Sequence, residues 1–277
     1  MIKLKINNID VEVPAGTTIL EAARKIDIKI NPTDTKEKFI SYSTELSSYQ
    51  TEYMRSDEER MKELDAAARK LDTCLVEADS IFSFNEYMGE TITKESREEG
   101  SDNNDEVNVQ IATTLYNAVI LAGLEIVERT NCDSLPDYVD IGRDALVYGK
   151  QVDFKFKNTT TNPIFIECYI NNGKLIVRLY GSENFKIYDN VIFDRKIISA
   201  VPSNEIIEVY DSEVMPGEKV ITQVGKSGAT AKLKVVYKVL GQKDRAVVLP
   251  DSVYLPTPTR ISVGELVNED DEDNDDN

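Results

Sequence analysis

Residues 108–132 read NVQIATTLYNAVILAGLEIVERTNC, and the fold turns on them. Leu115, Ala118, Val119, Ala122 and Ile126 recur at three- and four-residue spacing, which predicts a helix burying one face. Gly123 leaves room for a neighbour to approach closely. Yet the stretch opens on a polar cluster: Gln110, Thr113, Thr114, Tyr116 and Asn117. The free amides of a helix N-terminus can hold an anionic ligand, and Thr side chains can equally cap such a terminus. The start of this helix is therefore either a ligand site or a capped end.

Downstream lie three β segments: VDFKFKN (152–158), PIFIECYI (163–170) and KLIVRLYG (174–181). The last two flank Asn171-Asn172-Gly173, a hairpin turn signal, and their clean alternation predicts an antiparallel sheet with one solvated face. Between helix and strands, a GRDA turn carries Arg143 and Asp144, which are expected to pair with each other or with a helix end. Upstream, FISYSTEL (39–46) and SIFSFNEYMG (80–89) read as strands. Between them Ser56 and Glu59 cap a helix whose buried stripe is Met61, Leu64, Ala68 and Leu71. The charged run TITKESREEGSDNNDE (91–106) reads as a loop.

The N-terminal residues alternate about an Asn7-Asn8 turn, and Thr18 with Glu21 forms a capping box ahead of a short helix. A polar linker spans 31–38. From about residue 192 the pattern is β throughout, with turns at Pro216-Gly217, Ser227-Gly228 and Gly241, which suits a small elongated sheet module. The acidic block at 268–277 has no apolar anchor and reads as a disordered tail.

Composition narrows the chemistry. The 277 residues suffice for one large domain or two modest ones, and the net charge of −18 repels a phosphate backbone, so nucleic acid is not an expected partner. The chain contains no histidine, which removes the usual neutral-pH base and any Ser/His or Cys/His nucleophile pair. Cys74, Cys132 and Cys168 are widely separated, so they are expected to be buried thiols, with neither metal nor cofactor implied. The opening MIKLKINNIDVEV lacks a secretory apolar core and no membrane-spanning run occurs, which gives a cytoplasmic expectation.

FSFNEYMG, QIATTLYNAVILAGLEIVER and the run from Tyr138 to Gly181, in that order, resemble the VanW family, first met beside vancomycin-resistance genes and of uncertain biochemical function. The resemblance runs from about Phe39 to Gly181. The family's loop before the helix carries a glycine triplet and Cys-Gln, where this chain has Asp105, Glu106, Val107, Asn108 and then Val109-Gln110. The family's histidine after the helix is replaced by Cys132. If that Cys and His form a nucleophile and base, Val109 cannot attack and Cys132 has no imidazole to activate it. The first 30 residues resemble the β-grasp ferredoxin module without its cluster cysteines, and the stretch from Ser199 to Gly264 resembles a G5 module, linked to wall-sugar adhesion.

The expected architecture is α+β in four parts: a vestigial β-grasp-like segment (1–30), a VanW-like α+β domain with an antiparallel sheet (39–190), an all-β G5-like module (191–265) and a disordered acidic tail (266–277). The expected function is non-catalytic binding or scaffolding related to cell-wall or envelope material. The partner would be a peptidoglycan-related ligand or a protein. Gln110, Thr113, Thr114, Tyr116, Asn117, Arg143 and Asp144 are the ligand-binding candidates. Two alternatives stand beside it: an enzyme acting on a wall precursor or peptide, and an accessory of a redox complex docking through the ferredoxin-like cap.

Overall fold

A computed structural model describes residues 2–6, 9–13, 44–53, 58–89, 103–182 and 188–265. Strands β1 (Ile2–Ile6) and β2 (Ile9–Val13) pair as an antiparallel hairpin, as the alternation predicts. The helix expected after Thr18, the Ser56 cap, most of the 91–106 loop and the acidic tail lie outside the described residues.

The first half continues with β3 (Thr44–Glu52), α1 (Glu58–Leu71), β4 (Cys74–Val76), β5 (Ile81–Ser83), α2 (Phe84–Met88) and α3 (Asn103–Leu121). Then come β6 (Glu125–Glu128), β7 (Lys155–Lys157), β8 (Ile164–Asn171) and β9 (Lys174–Gly181). An antiparallel sheet of order β3-β9-β8-β4 holds α1 and α3 on one face. Ile164, Ile166, Cys168, Leu175, Val177 and Leu179 alternate inward toward the helices. Glu167 and Arg178 are directly paired across the opposite face. The β8–β9 turn uses Asn172 and Gly173 at φ 49° and 81°, the left-handed pair that a two-residue hairpin demands.

Helix α3 departs from expectation in three ways. It starts at Asn103, five residues before the quoted stretch, inside the run read as a loop. It stops at Leu121, because Gly123 at φ 73° closes a Schellman end: the amides of Leu124 and Gly123 bond the carbonyls of Val119 (3.2 Å) and Ile120 (2.8 Å). Ile126 therefore belongs to strand β6, paired with Phe156, and not to the helix face. Finally, α3 buries far more than one stripe. From Val107 to Ala122 all but Asn108 and Leu121 are buried, which makes it a central helix enclosed by other elements.

SIFSFNEYMG is likewise not one strand. Ser83 accepts the Glu86 amide (3.2 Å) and turns the chain into α2, which ends at Gly89. FISYSTEL is displaced too: its described residues join β3, which runs on to Glu52 along β9.

The C-terminal region is all β: β10 (Asn190–Val201), β11 (Ile206–Tyr210), β12 (Lys219–Gln223), β13 (Gly228–Lys238), β14 (Arg245–Val248), β15 (Ser252–Tyr254) and β16 (Thr259–Val263). It divides into two sheets. In one, β13 lies between β10 on one side and β14 and β15 on the other; the second has order β11-β16-β12, with β11 parallel to β16. Leu233, Val235 and Tyr237 of β13, with Leu249, enter the same core cluster as α3. The Tyr237 hydroxyl donates to the Ile120 carbonyl at 2.9 Å. The β13 sheet is thus a wall of the central helix's environment, whereas the three-stranded sheet stands largely in solvent.

Candidate functional site

Because α3 starts at Asn103, the polar residues of the quoted stretch lie in its interior, and Thr113 and Thr114 cap nothing. Gln110, Thr113, Thr114, Tyr116, Asn117 and Asp144 are each 0% exposed. Their partners are supplied by the protein. Gln110 Nε2 donates to the Glu52 carbonyl (3.0 Å) and Thr51 Oγ1 (3.2 Å), and the Thr51 and Thr114 hydroxyls share a bond of 2.9 Å. Thr114 also returns to the Gln110 carbonyl at 2.7 Å, the back-bond that satisfies a hydroxyl inside a helix. These contacts tie α3 to the end of β3.

On the next face of α3, Thr113 Oγ1 accepts the Ala145 amide (3.0 Å), and Asn117 Nδ2 donates to the carbonyls of Thr113 and Arg143, both at 2.7 Å. Arg143 does not pair with Asp144. Its Nε donates to Asn117 Oδ1 (2.6 Å), and its guanidinium is held between the rings of Phe193 (3.9 Å) and Tyr49 (4.8 Å). Burial lowers the affinity of this guanidinium for its proton. Arg143 therefore joins β3, α3 and β10.

Asp144 pairs instead with Arg129, whose Nη2 lies 2.9 Å from Oδ1; the two side chains are 0% and 1% exposed. The carboxylate also accepts the Cys132 amide (2.6 Å) and the Tyr254 hydroxyl. Arg129 Nη1 goes on to Ser252 (2.6 Å), and Tyr254 in turn accepts the Gly142 amide (2.8 Å). A buried charge pair is tolerated when further hydrogen bonds fill the remaining donors and acceptors; here Ser252 and Tyr254 of β15 supply two, and the Asp144 carbonyl and the Cys132 amide supply the others. Arg129, Ser252 and Tyr254, like Thr51, escaped the sequence reading. Their pairings span from 15 residues, for Arg129 with Asp144, to 123, for Arg129 with Ser252, which leaves no local spacing to detect.

Tyr116 packs edge-on against Phe154 (5.5 Å) with Arg129 over its ring (5.3 Å), and its hydroxyl has no hydrogen-bond partner among the described residues. Burial first, against the opposing pull of Arg129, pushes its pKa up to about 12. Gln110 Oε1 is the other unpartnered atom among the candidate residues. Val109 and Cys132 are 9% and 8% exposed. Cys132 is held as a thiol, first by burial and then by the Asp144 charge and hydrogen bond, both of which disfavour a thiolate. All three cysteines are buried and free, and Cys74 is pushed up to about 11, chiefly by burial.

Among the described residues no group of three or more acidic or thiol side chains is placed to hold a metal ion, and no helix is long and apolar enough to cross a membrane. A shallow groove lies over β10 and β13, lined by Ile192, Asp194, Lys234, Val236 and Lys238 among others, and it includes none of the candidate residues. As a group, the candidates form an internal polar brace, with every member but Arg143 fully buried.

Residues 59–180 match the family model described as VanW like protein. The chain is 31% identical over 169 residues to the uncharacterized protein YoaR of Bacillus subtilis (strain 168), a match covering 57% of this chain and 55% of that protein. The chain thus spans about half the length of that curated relative. An IgA1 protease G5 domain structure is similar over 28% of this chain and 93% of its own, with 14% identity and a TM-score of 0.19. The solved HP0197 G5 structure is similar over 27% of this chain and all of its own, with 18% identity and a TM-score of 0.15. Residues 59–180 are a VanW-like domain.

Proposed function

We propose that this chain, built on its VanW-like domain, is a non-catalytic binding protein for cell-wall material. The VanW-like domain serves as a rigid base and the G5-like β region as the contact surface. The observation that carries this reading is the closure of the polar cluster on α3. Gln110, Thr113, Thr114, Asn117 and Asp144 are buried, and their hydrogen bonds run to the protein's own backbone and side chains. A ligand would have to break that brace to reach them. The three-stranded sheet, in contrast, offers Ile206, Tyr210 and Ile221 to solvent at 61–63% exposure beside the charged Glu208 and Lys219, a flat mixed surface suited to the apolar and hydroxyl faces of a glycan.

Calorimetry with soluble peptidoglycan fragments tests the assignment. Saturable binding is expected that weakens at least about tenfold in Tyr210→Ala and persists in Gln110→Ala combined with Arg143→Ala, if that protein remains folded. Binding lost in the α3 variant and kept in Tyr210→Ala would return the ligand to the helix. Fractionation of cells then decides whether the material held is the finished wall or its cytoplasmic precursors.

A further inference from the structure

Among the described residues, the sheet β11-β16-β12 has two edges without a further strand, and they differ in character. Strand β11 carries Glu208 at its centre, with Glu205 just before it and Asp211 just after. If two copies paired antiparallel through β11 about its midpoint, Glu208 would face its own copy, and like charges directly opposite destabilise a strand pair. That edge is protected against self-association. Strand β12 has no charge at its centre: Lys219 stands at its first position, and a bulge falls only after Ile221. All five of its residues are exposed, and residues 220–225, VITQVG, lack charge and proline in a chain that is 30% charged.

Self-pairing of β12 about Ile221 sets Ile221 against its own copy, Val220 against Thr222 and Lys219 against Gln223, so no like charges meet. Lys219 is already neutralised by Glu208 across the same sheet face, its Nζ lying 2.5 Å from Oε1. Ile221 shares its face with Ile261, its direct neighbour on β16. Pairing would therefore extend one apolar row across both copies. The bulge between Ile221 and Gln223 keeps the ladder short.

We propose that β12 is a homodimerisation edge, at which two copies of this chain pair antiparallel about a two-fold axis through Ile221 and merge two three-stranded sheets into one of six. The symmetry closes, so the assembly stops at two. The net charge of −18 on each chain opposes approach, and salt, by screening it, promotes the dimer.

Sedimentation of the full chain over a concentration series at low and high salt is the test. A shift from one-chain to two-chain mass is expected, at lower concentration in high salt. Ile221→Lys should raise the dissociation constant at least about tenfold, and Ile206→Lys on β11 should leave it unchanged. Ile221→Cys is the conservative variant: under mild oxidation it should form an interchain disulfide, with little background because the three native thiols are buried. A one-chain mass throughout, dissociation by Ile206→Lys but not Ile221→Lys, or absence of the Ile221→Cys crosslink would each overturn the assignment.

Discussion

Asp144 shows how far a single residue's role depends on partners distant in sequence. Adjacent Arg143 looks like its natural counter-ion, yet the carboxylate is spent on Arg129, Cys132 and Tyr254. Asp144→Asn leaves the Arg129 guanidinium buried and uncompensated, so urea denaturation should report a loss of about 3–5 kcal/mol. Tyr254→Phe should cost less, because the carboxylate retains its other donors. Titration carries a second expectation. Cys74 is raised from 9.0 to about 11, and Tyr116 and Tyr237 from 10.0 to about 12. The folded state then holds protons that the unfolded state has released. Stability is full below pH 9 and should fall as pH rises from about 9 to about 12, as thermal melts across that range would show. The same burial predicts that thiol reagents label none of the three cysteines at pH 8 unless the protein is first unfolded.

At the scale of elements, α3 and its C-terminal turn organise the molecule. A Cβ at Gly123 would lie 2.3 Å from Tyr188 Cε2, on a backbone already at φ 73°. Gly123→Ala should destabilise by more than about 1 kcal/mol, and weakened exchange protection should appear first in β6 and the Tyr188 segment. The close approach at Gly123 was legible in the sequence, as were the β8–β9 hairpin and the inward stripe on α1, of which Leu64, Ala68 and Leu71 are fully buried and Met61, at its start, is half-buried. The start of α3 was not legible, because DNNDE looks like loop chemistry until a helix already held by packing extends into it. Nor was the all-round burial of α3. Threonine, glutamine and asparagine in the helix imitate a polar face, and only the positions of β3 and the Gly142–Ala145 turn reveal them as facing inward.

At the scale of the whole molecule, the β13 sheet and the VanW-like domain share one core, since Leu233, Val235 and Tyr237 lie against the surroundings of α3. Calorimetric unfolding should therefore show a single main transition covering both. Hydrogen exchange should find α3 and β13 equally protected, while β11, β12 and β16, with little buried apolar surface, exchange earlier. A chain truncated after residue 182 should lose that cooperative transition and bind hydrophobic dyes, because it uncovers Ile120 and its neighbours.

By itself, the sequence determined what local periodicity and composition can carry: an α+β protein with an antiparallel sheet and an all-β C-terminal region, a tight Asn-Gly turn, the absence of histidine chemistry, and a surface that repels polyanions. Hydrophobic alternation and turn residues encode these features over a few positions, so no distant partner is needed to read them. The partners of the polar residues of α3 emerge only in the folded chain. Whether Gln110, Thr113, Asn117 and Asp144 open onto solvent or brace the interior depends on Thr51, Arg129, Ser252 and Tyr254. A buried polar group takes its meaning from the partner that repays its desolvation, and that partner is chosen by folding.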